Sequence, residues 1–166
     1  MSRRLSHIAE DRNLLPPDQH GFRKNHRATD GLNKMVEYIH IERKVKKVTS
    51  ALTLDLAGAY DNVNHHLLVE KLYRMNLSGF LINWLKHFLF NRTTQIRNQE
   101  HISEIWYLQK GLPQGSPISS ILFILFTADL IHSLKEIIPN SSFANDIILY
   151  VANPSAAITY HNYKPQ

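Results

Sequence analysis

Two β-like segments lie far apart in the sequence, and each carries an aspartate where the chain would leave a sheet. Residues 49–56 alternate in polarity and are rich in β-compatible side chains, with Asp55 near the end of the run. Residues 142–151 predict a hairpin with Asn145 and Asp146 at its tip. If these strands are neighbours in one sheet, the carboxylates of Asp55 and Asp146 converge although 91 positions separate them.

The rest of the chain predicts mainly helices, which makes the fold α+β, with an antiparallel sheet packed on helices. One helix is predicted in residues 1–15, and another begins at a cap formed by Thr29 or Asp30. Residues 93–98 and 104–109 are predicted to be short strands. The other predicted features are an apolar stripe on the second helix (Leu32, Met35, Val36, Ile39), two helices capped by Asn64 and Ser78, and a buried helix from Pro117 to about Leu134.

Composition narrows the class of protein. A chain of 166 residues with 43% hydrophobic residues is enough for one domain with its own core. The absence of cysteine excludes disulfides and thiolate metal sites and fits an intracellular location, with cytoplasm and nucleus both open. No apolar run approaches the roughly 20 residues that span a bilayer, so no membrane partner is expected. The ten histidines show no metal-ligand spacing and are interpreted as ordinary polar residues.

The net charge of +5 favours polyanionic partners, although this evidence is weak alone. Basic side chains concentrate in residues 23–27 and 43–47, which are either solvated charged faces or contacts for nucleic acid.

A third motif, Gly-Leu-Pro-Gln-Gly-Ser-Pro, occupies residues 111–117 between the two acidic segments. Its glycines allow backbone to approach a ligand closely, and its prolines stiffen the turn. Any tight loop could use such a sequence, so the motif alone is a weak signal. It becomes specific because Asp55 precedes it and a long apolar helix follows it.

In this order and spacing, the three segments resemble the palm of a reverse transcriptase of the non-LTR (LINE-like) retrotransposon branch. The resemblance runs from about Leu5 to Val151. It implies a palm-like antiparallel sheet with part of the fingers and without the thumb, endonuclease or RNase H domain. We therefore expect a partial fingers and palm domain in residues 1–152 and a frayed tail in residues 153–166.

The resemblance also implies a chemistry, RNA-directed DNA synthesis by two-metal nucleotidyl transfer. Asp55 and Asp146 would hold two Mg²⁺ ions, with Mn²⁺ as a possible substitute. The implied partners are an RNA template, a DNA primer and deoxynucleoside triphosphates; the oligomeric state stays open. From the residues alone, either aspartate could be a simple turn residue.

Further positions match the family's nucleotide and template contacts. The backbone at Leu56 would face the triphosphate, and the ring of Tyr60 would exclude a 2′-hydroxyl, with core packing as its alternative. Gln114 and Gly115 would support the templating base and the incoming nucleotide. Arg23 is either a contact to the template backbone or half of a buried ion pair.

One catalytic position departs from the family pattern. The family has two consecutive aspartates in the third segment, whereas this chain has Asn145 before Asp146. Asparagine keeps the size and one oxygen but loses a negative charge. Each 1.4 kcal/mol lost from the transition state costs about tenfold in rate, so we predict activity depressed by at least ~100-fold. The alternatives are a non-catalytic nucleic-acid-binding module and a functionless retrotransposon remnant on the same scaffold.

Overall fold

The structure, a computed structural model, describes residues 1–154. Six helices are present in this part of the chain: α1 (Ser2–Asp11), α2 (Ala28–Lys44), α3 (His65–Arg74), α4 (Gly79–Leu89), α5 (Pro117–Phe126) and α6 (Ala128–Ile137). Seven strands accompany them: β1 (Val48–Asp55), β2 (Arg92–Thr94), β3 (Arg97–Asn98), β4 (His101–Ile102), β5 (Trp106–Leu108), β6 (Asn140–Phe143) and β7 (Asp146–Asn153).

The central sheet joins the two acidic segments, as the resemblance to a polymerase palm implied. Its strand order is β1-β7-β6, and both pairings are antiparallel. The register places Val48 opposite Asn153 at one end and Asp55 opposite Asp146 at the other. Because Asn153 is paired in β7, the sheet extends one residue past the predicted domain boundary. The rest of the predicted frayed tail, from residue 155 onwards, lies outside the described residues.

The first of the two short strands predicted after α4 is split into β2 and β3, and the second corresponds to β5 alone. β4 lies between the two predicted strands. β2 pairs with β5, and β3 pairs with β4 further along the same hairpin. Between the pairs, the amide of Ile96 donates to Oγ of Ser103 at 2.9 Å. A side-chain oxygen there replaces a ladder carbonyl, which interrupts the regular pairing.

The hydrophobic core lies among α1, α3, α4 and α5. The caps predicted for α3 and α4 are present, since Asn64 accepts from the amide of Leu67 at 3.0 Å and Ser78 accepts from the amide of Leu81 at 3.4 Å. Satisfying these amides starts each helix so that its apolar side faces the core. Fully buried side chains include Leu5, Leu68, Leu72, Ile82, Leu85 and Leu122.

The long helix predicted from Pro117 to about Leu134 is in fact two helices, bent by about 40° at Thr127. Oγ1 of Thr127 donates to the carbonyl of Phe123 at 3.1 Å, a local bond that often bends helices. α5 is buried on nearly all sides, as predicted. Within residues 1–154 no single helix is long and apolar enough to cross a membrane, and α5 with α6 meets that criterion only as a bent pair.

The apolar stripe predicted on α2 is only partly correct. Leu32 and Val36 are 47% and 45% exposed, whereas Gly31 is buried. A Cβ on Gly31 would lie 2.2 Å from Oγ of Ser141, so α2 packs on β6 through its smallest residue. The predicted cap is also shifted, because the helix begins after Arg27 and Asp30 accepts from the Arg27 amide at 2.7 Å.

Candidate active site

Asp55 and Asp146 are directly opposite each other at the end of the central sheet. Directly opposite residues of an antiparallel pair project from the same face, with Cβ atoms about 4.5–5.5 Å apart. Both aspartates are exposed to solvent. The structure therefore places the two aspartates that were predicted to bind metal on the same face, at one end of the central sheet.

Asn145 contacts this pair directly. Its side-chain amide donates from Nδ2 to Oδ1 of Asp55 at 2.6 Å, and its backbone carbonyl accepts from the amide of Leu56 at 3.1 Å. One carboxylate oxygen of Asp55 thus already has a hydrogen-bond donor. An aspartate at position 145 could not donate that bond and would instead add a third negative charge.

A tight two-residue turn, formed by Ala144 and Asn145, carries these side chains between β6 and β7. Ala144 has a φ of +57°, and a positive φ at the first central residue is typical of a type II′ turn. Glycine is the usual residue at that position, so alanine carries backbone strain here. The surrounding structure must hold the turn in place.

That support comes from residues 18–21, whose role sequence reasoning missed. The amide of His20 donates to the carbonyl of Ser142, and the amide of Ser142 donates to the carbonyl of Asp18, both at 2.8 Å. Gly21 packs so closely that a Cβ on it would lie 2.2 Å from the nitrogen of Ala144. In this stretch the sequence indicated a role only for Arg23, two residues after Gly21.

The loop of residues 111–117 is fixed beside the turn that follows β1. The amide of Gly111 donates to the carbonyl of Val63, and the amide of Leu112 donates to the carbonyl of Tyr60, both at 2.8 Å. Gly111 has a φ of +91°, which only glycine adopts without strain. Its carbonyl accepts from His65 Nε2 at 2.7 Å and from Arg92 at 2.6 Å. Burial lowers the pKa of His65 despite this bond, so the ring is neutral at neutral pH and Nε2 is the donor.

Three predicted nucleotide-binding residues line one cavity of about 430 Å³. Tyr60, Gln114 and Gly115 face it together with Ser116, Pro117 and Ser120. The Tyr60 ring stacks on Phe123 with ring centroids 5.4 Å apart, and its hydroxyl donates to Oγ of Ser120 at 3.2 Å. Core packing and a cavity-facing position, which the sequence treated as alternatives, therefore occur together at Tyr60.

Asp61 orients Gln114, a contact that the sequence did not indicate. Nε2 of Gln114 donates to Oδ1 of Asp61 at 3.1 Å. The amide oxygen of Gln114 is left to accept a hydrogen bond from a ligand in the cavity. Asp61 lies six residues after Asp55, and no local pattern pairs it with Gln114.

The amide of Leu56, whose backbone was predicted to face a triphosphate, already has an acceptor. The Leu56 amide is engaged by Asn145. Among the described residues, the amides of Ala57, Gly58 and Ala59 have no backbone acceptor. These three donors, in a turn where Gly58 has a φ of +60°, follow Asp55 directly and could bind anionic oxygens.

Arg23 forms the buried ion pair that was one of its two interpretations. Its guanidinium binds both carboxylate oxygens of Glu10, at 2.9 and 2.6 Å, and donates to the carbonyls of Pro16 and Gln19. The Arg23 side chain is only 11% exposed. These contacts attach the segment supporting the hairpin to α1, and they leave a template contact by Arg23 without structural support.

His20, His26 and Asp30 form a cluster that sequence spacing did not indicate. One ligand atom from each residue lies within 4.8 Å of the other two. His20 is buried, and burial is the main reason that its pKa is lowered, followed by the nearby charges of Lys34 and His26. His20 also lines a cavity of about 210 Å³ with Asp146, which places the cluster next to the acidic site.

Comparisons with known proteins agree with this geometry. A sequence model of the family described as reverse transcriptase (RNA-dependent DNA polymerase) matches residues 1–163. The chain is 29% identical over 130 residues to a probable RNA-directed DNA polymerase from transposon BS of Drosophila melanogaster. The aligned residues cover 78% of this chain and 14% of that protein. The chain is 31% identical over 127 residues to the corresponding protein from transposon X-element of the same organism, covering 76% of this chain and 14% of that protein.

A third relative is a retrovirus-related Pol polyprotein from type-1 retrotransposable element R2 of Popillia japonica. It is 26% identical over 183 residues, which covers 98% of this chain and 26% of that protein. The chain therefore spans about a quarter or less of the length of these three relatives. Among solved structures, a chain from telomerase of Candida albicans in complex with the TWJ fragment of telomeric RNA has a TM-score of 0.69 at 13% identity, over 97% of this chain and 31% of that one.

A sheet that aligns Asp55 with Asp146 beside the loop of residues 111–117 defines a polymerase palm. Since the family match extends over nearly the whole chain, the chain belongs to the reverse transcriptase family. Its relatives are the RNA-directed DNA polymerases of non-LTR retrotransposons.

Proposed function

We propose that this chain forms the palm of a reverse transcriptase whose nucleotidyl transfer is impaired by Asn145. Its substrates are deoxynucleoside triphosphates, a DNA primer and an RNA template, in the intracellular setting expected from the sequence. The observation that carries the proposal is the register of β1 and β7, which sets Asp55 opposite Asp146 beside the cavity lined by Tyr60 and Gln114.

The donors at the end of the sheet suit hard divalent cations. Asp55 and Asp146 supply exposed carboxylate oxygens, which Mg²⁺ and Mn²⁺ prefer. Two such ions, when bound, would activate the primer 3′-hydroxyl and stabilise the charge of the departing pyrophosphate. The site is rigid because the hydrogen-bonded ladder of β1 and β7 fixes the backbones of both aspartates.

The remaining residues position the nucleotide. The free amides of residues 57–59 would bind triphosphate oxygens, and the Tyr60 ring would occupy the space that a 2′-hydroxyl needs. Gln114, held by Asp61, would contact the base pair at the site of synthesis. Each of these roles needs only the groups that already line the cavity and the adjacent turn.

Asn145 weakens the site in two ways. First, Asn145 adds no negative charge to the set of side chains that must offset two divalent cations. Second, its side-chain amide donates to an oxygen of Asp55 that a cation would otherwise use. Both effects act on charge stabilisation in the transition state, where an absent carboxylate is most costly. A reduction in rate of at least ~100-fold corresponds to about 2.7 kcal/mol of lost stabilisation.

Primer extension on an RNA template tests this proposal by comparing the native chain with its Asn145→Asp variant. The restored carboxylate is expected to raise the extension rate at least ~100-fold. Asp146→Asn in the restored background is the matched control, because it makes the same change of one charge at the next residue and should abolish the gain.

Equal extension rates for the native chain and for Asn145→Asp would contradict the role given to Asn145. If neither extends a primer, both are to be joined to the fingers and thumb of a relative and measured again. Salt-sensitive binding of RNA without extension in any of these forms would favour the non-catalytic binding module, and the absence of both would favour a functionless remnant.

A further inference from the structure

We infer that His20, His26 and Asp30 form a second metal site, of the kind that binds Zn²⁺ or a similar divalent transition metal. The site is separate from the pair Asp55 and Asp146, and the inference does not depend on whether the chain synthesises DNA. It rests on the geometry of three side chains, on the burial of one of them, and on what the three connect.

The spacing of the donor atoms fits coordination. Nδ1 of His20 and Nδ1 of His26 lie 3.4 Å apart. Two nitrogens on one Zn²⁺, with bonds of about 2.05 Å at the tetrahedral angle, are separated by about 3.3 Å. The rings are tilted by 47°, with centroids 5.6 Å apart, so they do not stack face to face.

Asp30 supplies the third donor and is already oriented. One of its oxygens accepts from the Arg27 amide at 2.7 Å, which fixes the carboxylate at the start of α2. One carboxylate oxygen of Asp30 lies within 4.8 Å of a ring nitrogen of each histidine, and the charge of the carboxylate would offset part of the charge of a metal. Hydrogen bonding of a ligand carboxylate to a neighbouring group is the usual arrangement around protein metal sites.

Burial gives His20 a reason to have a metal partner. The residue is 3% exposed, and its Nε2 is buried without a hydrogen-bond partner in the described structure. Without a metal, the ring has only the 3.4 Å contact to His26 for its polar atoms. A metal on Nδ1 would replace this long contact with a strong polar interaction for the buried imidazole, while Nε2 would keep its buried position.

The chemistry of the donors selects the type of ion. Imidazole nitrogens suit zinc, copper, iron and nickel, whereas Mg²⁺ prefers oxygen ligands. Two histidines and one carboxylate leave a fourth tetrahedral position for solvent. The nearby cation Lys34 is paired with Asp18 at 3.3 Å, which reduces its repulsion of a bound metal.

The position of the site indicates what a metal would do. His20 lies in the segment that pairs with β6 and supports the turn of Ala144 and Asn145, while Asp30 lies in α2. A metal joining them would attach that segment to the helix packed on the sheet. The site would thereby stabilise the end of the sheet that carries Asp146.

Zinc titration of the chelator-treated full chain tests the inference. Competition with a chromophoric zinc chelator should show one equivalent bound, and Co²⁺ should give the visible absorption of a tetrahedral site. His26→Ala should weaken zinc binding by more than the roughly 10- to 100-fold typical of losing an outer partner. Asp30→Asn, which keeps an oxygen for the Arg27 amide, should weaken it without disturbing the helix start.

Two control variants make the outcome decisive. His132→Ala removes an exposed histidine from α6, and Asp55→Asn removes a carboxylate of the proposed magnesium site; both should leave zinc affinity unchanged. Circular dichroism of every variant shows whether it is folded, and a zinc-dependent rise in the unfolding temperature of the native chain that His26→Ala lacks would support the site. No bound equivalent, or zinc affinity unchanged in His26→Ala, would overturn it.

Discussion

Gly21 shows how strongly a single residue can constrain the turn of Ala144 and Asn145. It lies against the backbone of Ala144, at a distance that leaves no space for a methyl group. Ala144 is itself strained by its positive φ, so the turn cannot shift freely to make room. The position of Asn145 and Asp146 therefore depends on the absence of a side chain at Gly21, more than 120 residues earlier in the chain.

Gly21→Ala is expected to destabilise the protein by about 1–3 kcal/mol, because overpacking forces the backbone apart. Urea unfolding measures the change in the free energy of unfolding. Gly79→Ala is the matched control, since a Cβ at Gly79 meets nothing within 4 Å and alanine is a better helix former. Similar free energies of unfolding for Gly21→Ala and the native chain would show that the close contact does not constrain the turn.

At the same scale, the sequence predicted the two aspartates of the candidate site but not the residues that hold them in place. Asp55 and Asp146 were recognisable because their residue types and spacing resemble those of the family. The contacts of Asp61 with Gln114, and of Gly21 with Ala144, join positions that are distant in sequence, and no local pattern specifies them. Tertiary packing decides such pairs.

Helix α1 and the segment after it are joined by the ion pair of Glu10 and Arg23. The hydrogen bond from Arg23 is the largest influence on Glu10 and lowers its pKa, while partial burial acts in the opposite direction. The ionised form is therefore stabilised more in the folded state than in the unfolded state. This contribution is fully present above the ordinary pKa of 4.5 and is lost as the pH falls through the lower folded value.

Glu10→Gln is expected to cost roughly 1–2 kcal/mol at neutral pH, a value reduced by solvent because the carboxylate is partly exposed. The difference in unfolding free energy between native and variant should shrink as the pH falls below about 4.5, the ordinary pKa. Glu70→Gln, in the exposed pair with Arg74, should change stability little at any pH. A pH-independent difference for Glu10→Gln would contradict the ion-pair account.

Helix boundaries and faces were predicted well where local sequence signals determine them, and poorly where tertiary packing determines them. Caps at Asn64 and Ser78 start α3 and α4 as the sequence indicated. The stripe on α2 was misplaced because that helix packs through Gly31, which no hydrophobic pattern marks. The break between α5 and α6 at Thr127 was not predicted, because the sequence has neither proline nor glycine there.

For the whole molecule, the sequence predicted an α+β palm from two strands that could meet only through folding. Composition and periodicity alone do not pair β1 with β7; the family resemblance supplied that expectation, and the register confirms it. The fold was therefore predictable from the family resemblance combined with local sequence patterns. The contacts of residues 18–21 that support the hairpin were predictable from neither.

Electron paramagnetic resonance of bound Mn²⁺ shows whether Asp55 and Asp146 form a cation site that Asn145 weakens. We predict that Asn145→Asp binds Mn²⁺ at least about tenfold more tightly than the native chain, which corresponds to about 1.4 kcal/mol. We also predict that Asp55→Asn abolishes that gain. Equal affinity in the native chain and Asn145→Asp, or a gain that survives Asp55→Asn, would show that the end of this sheet is not a divalent-cation site.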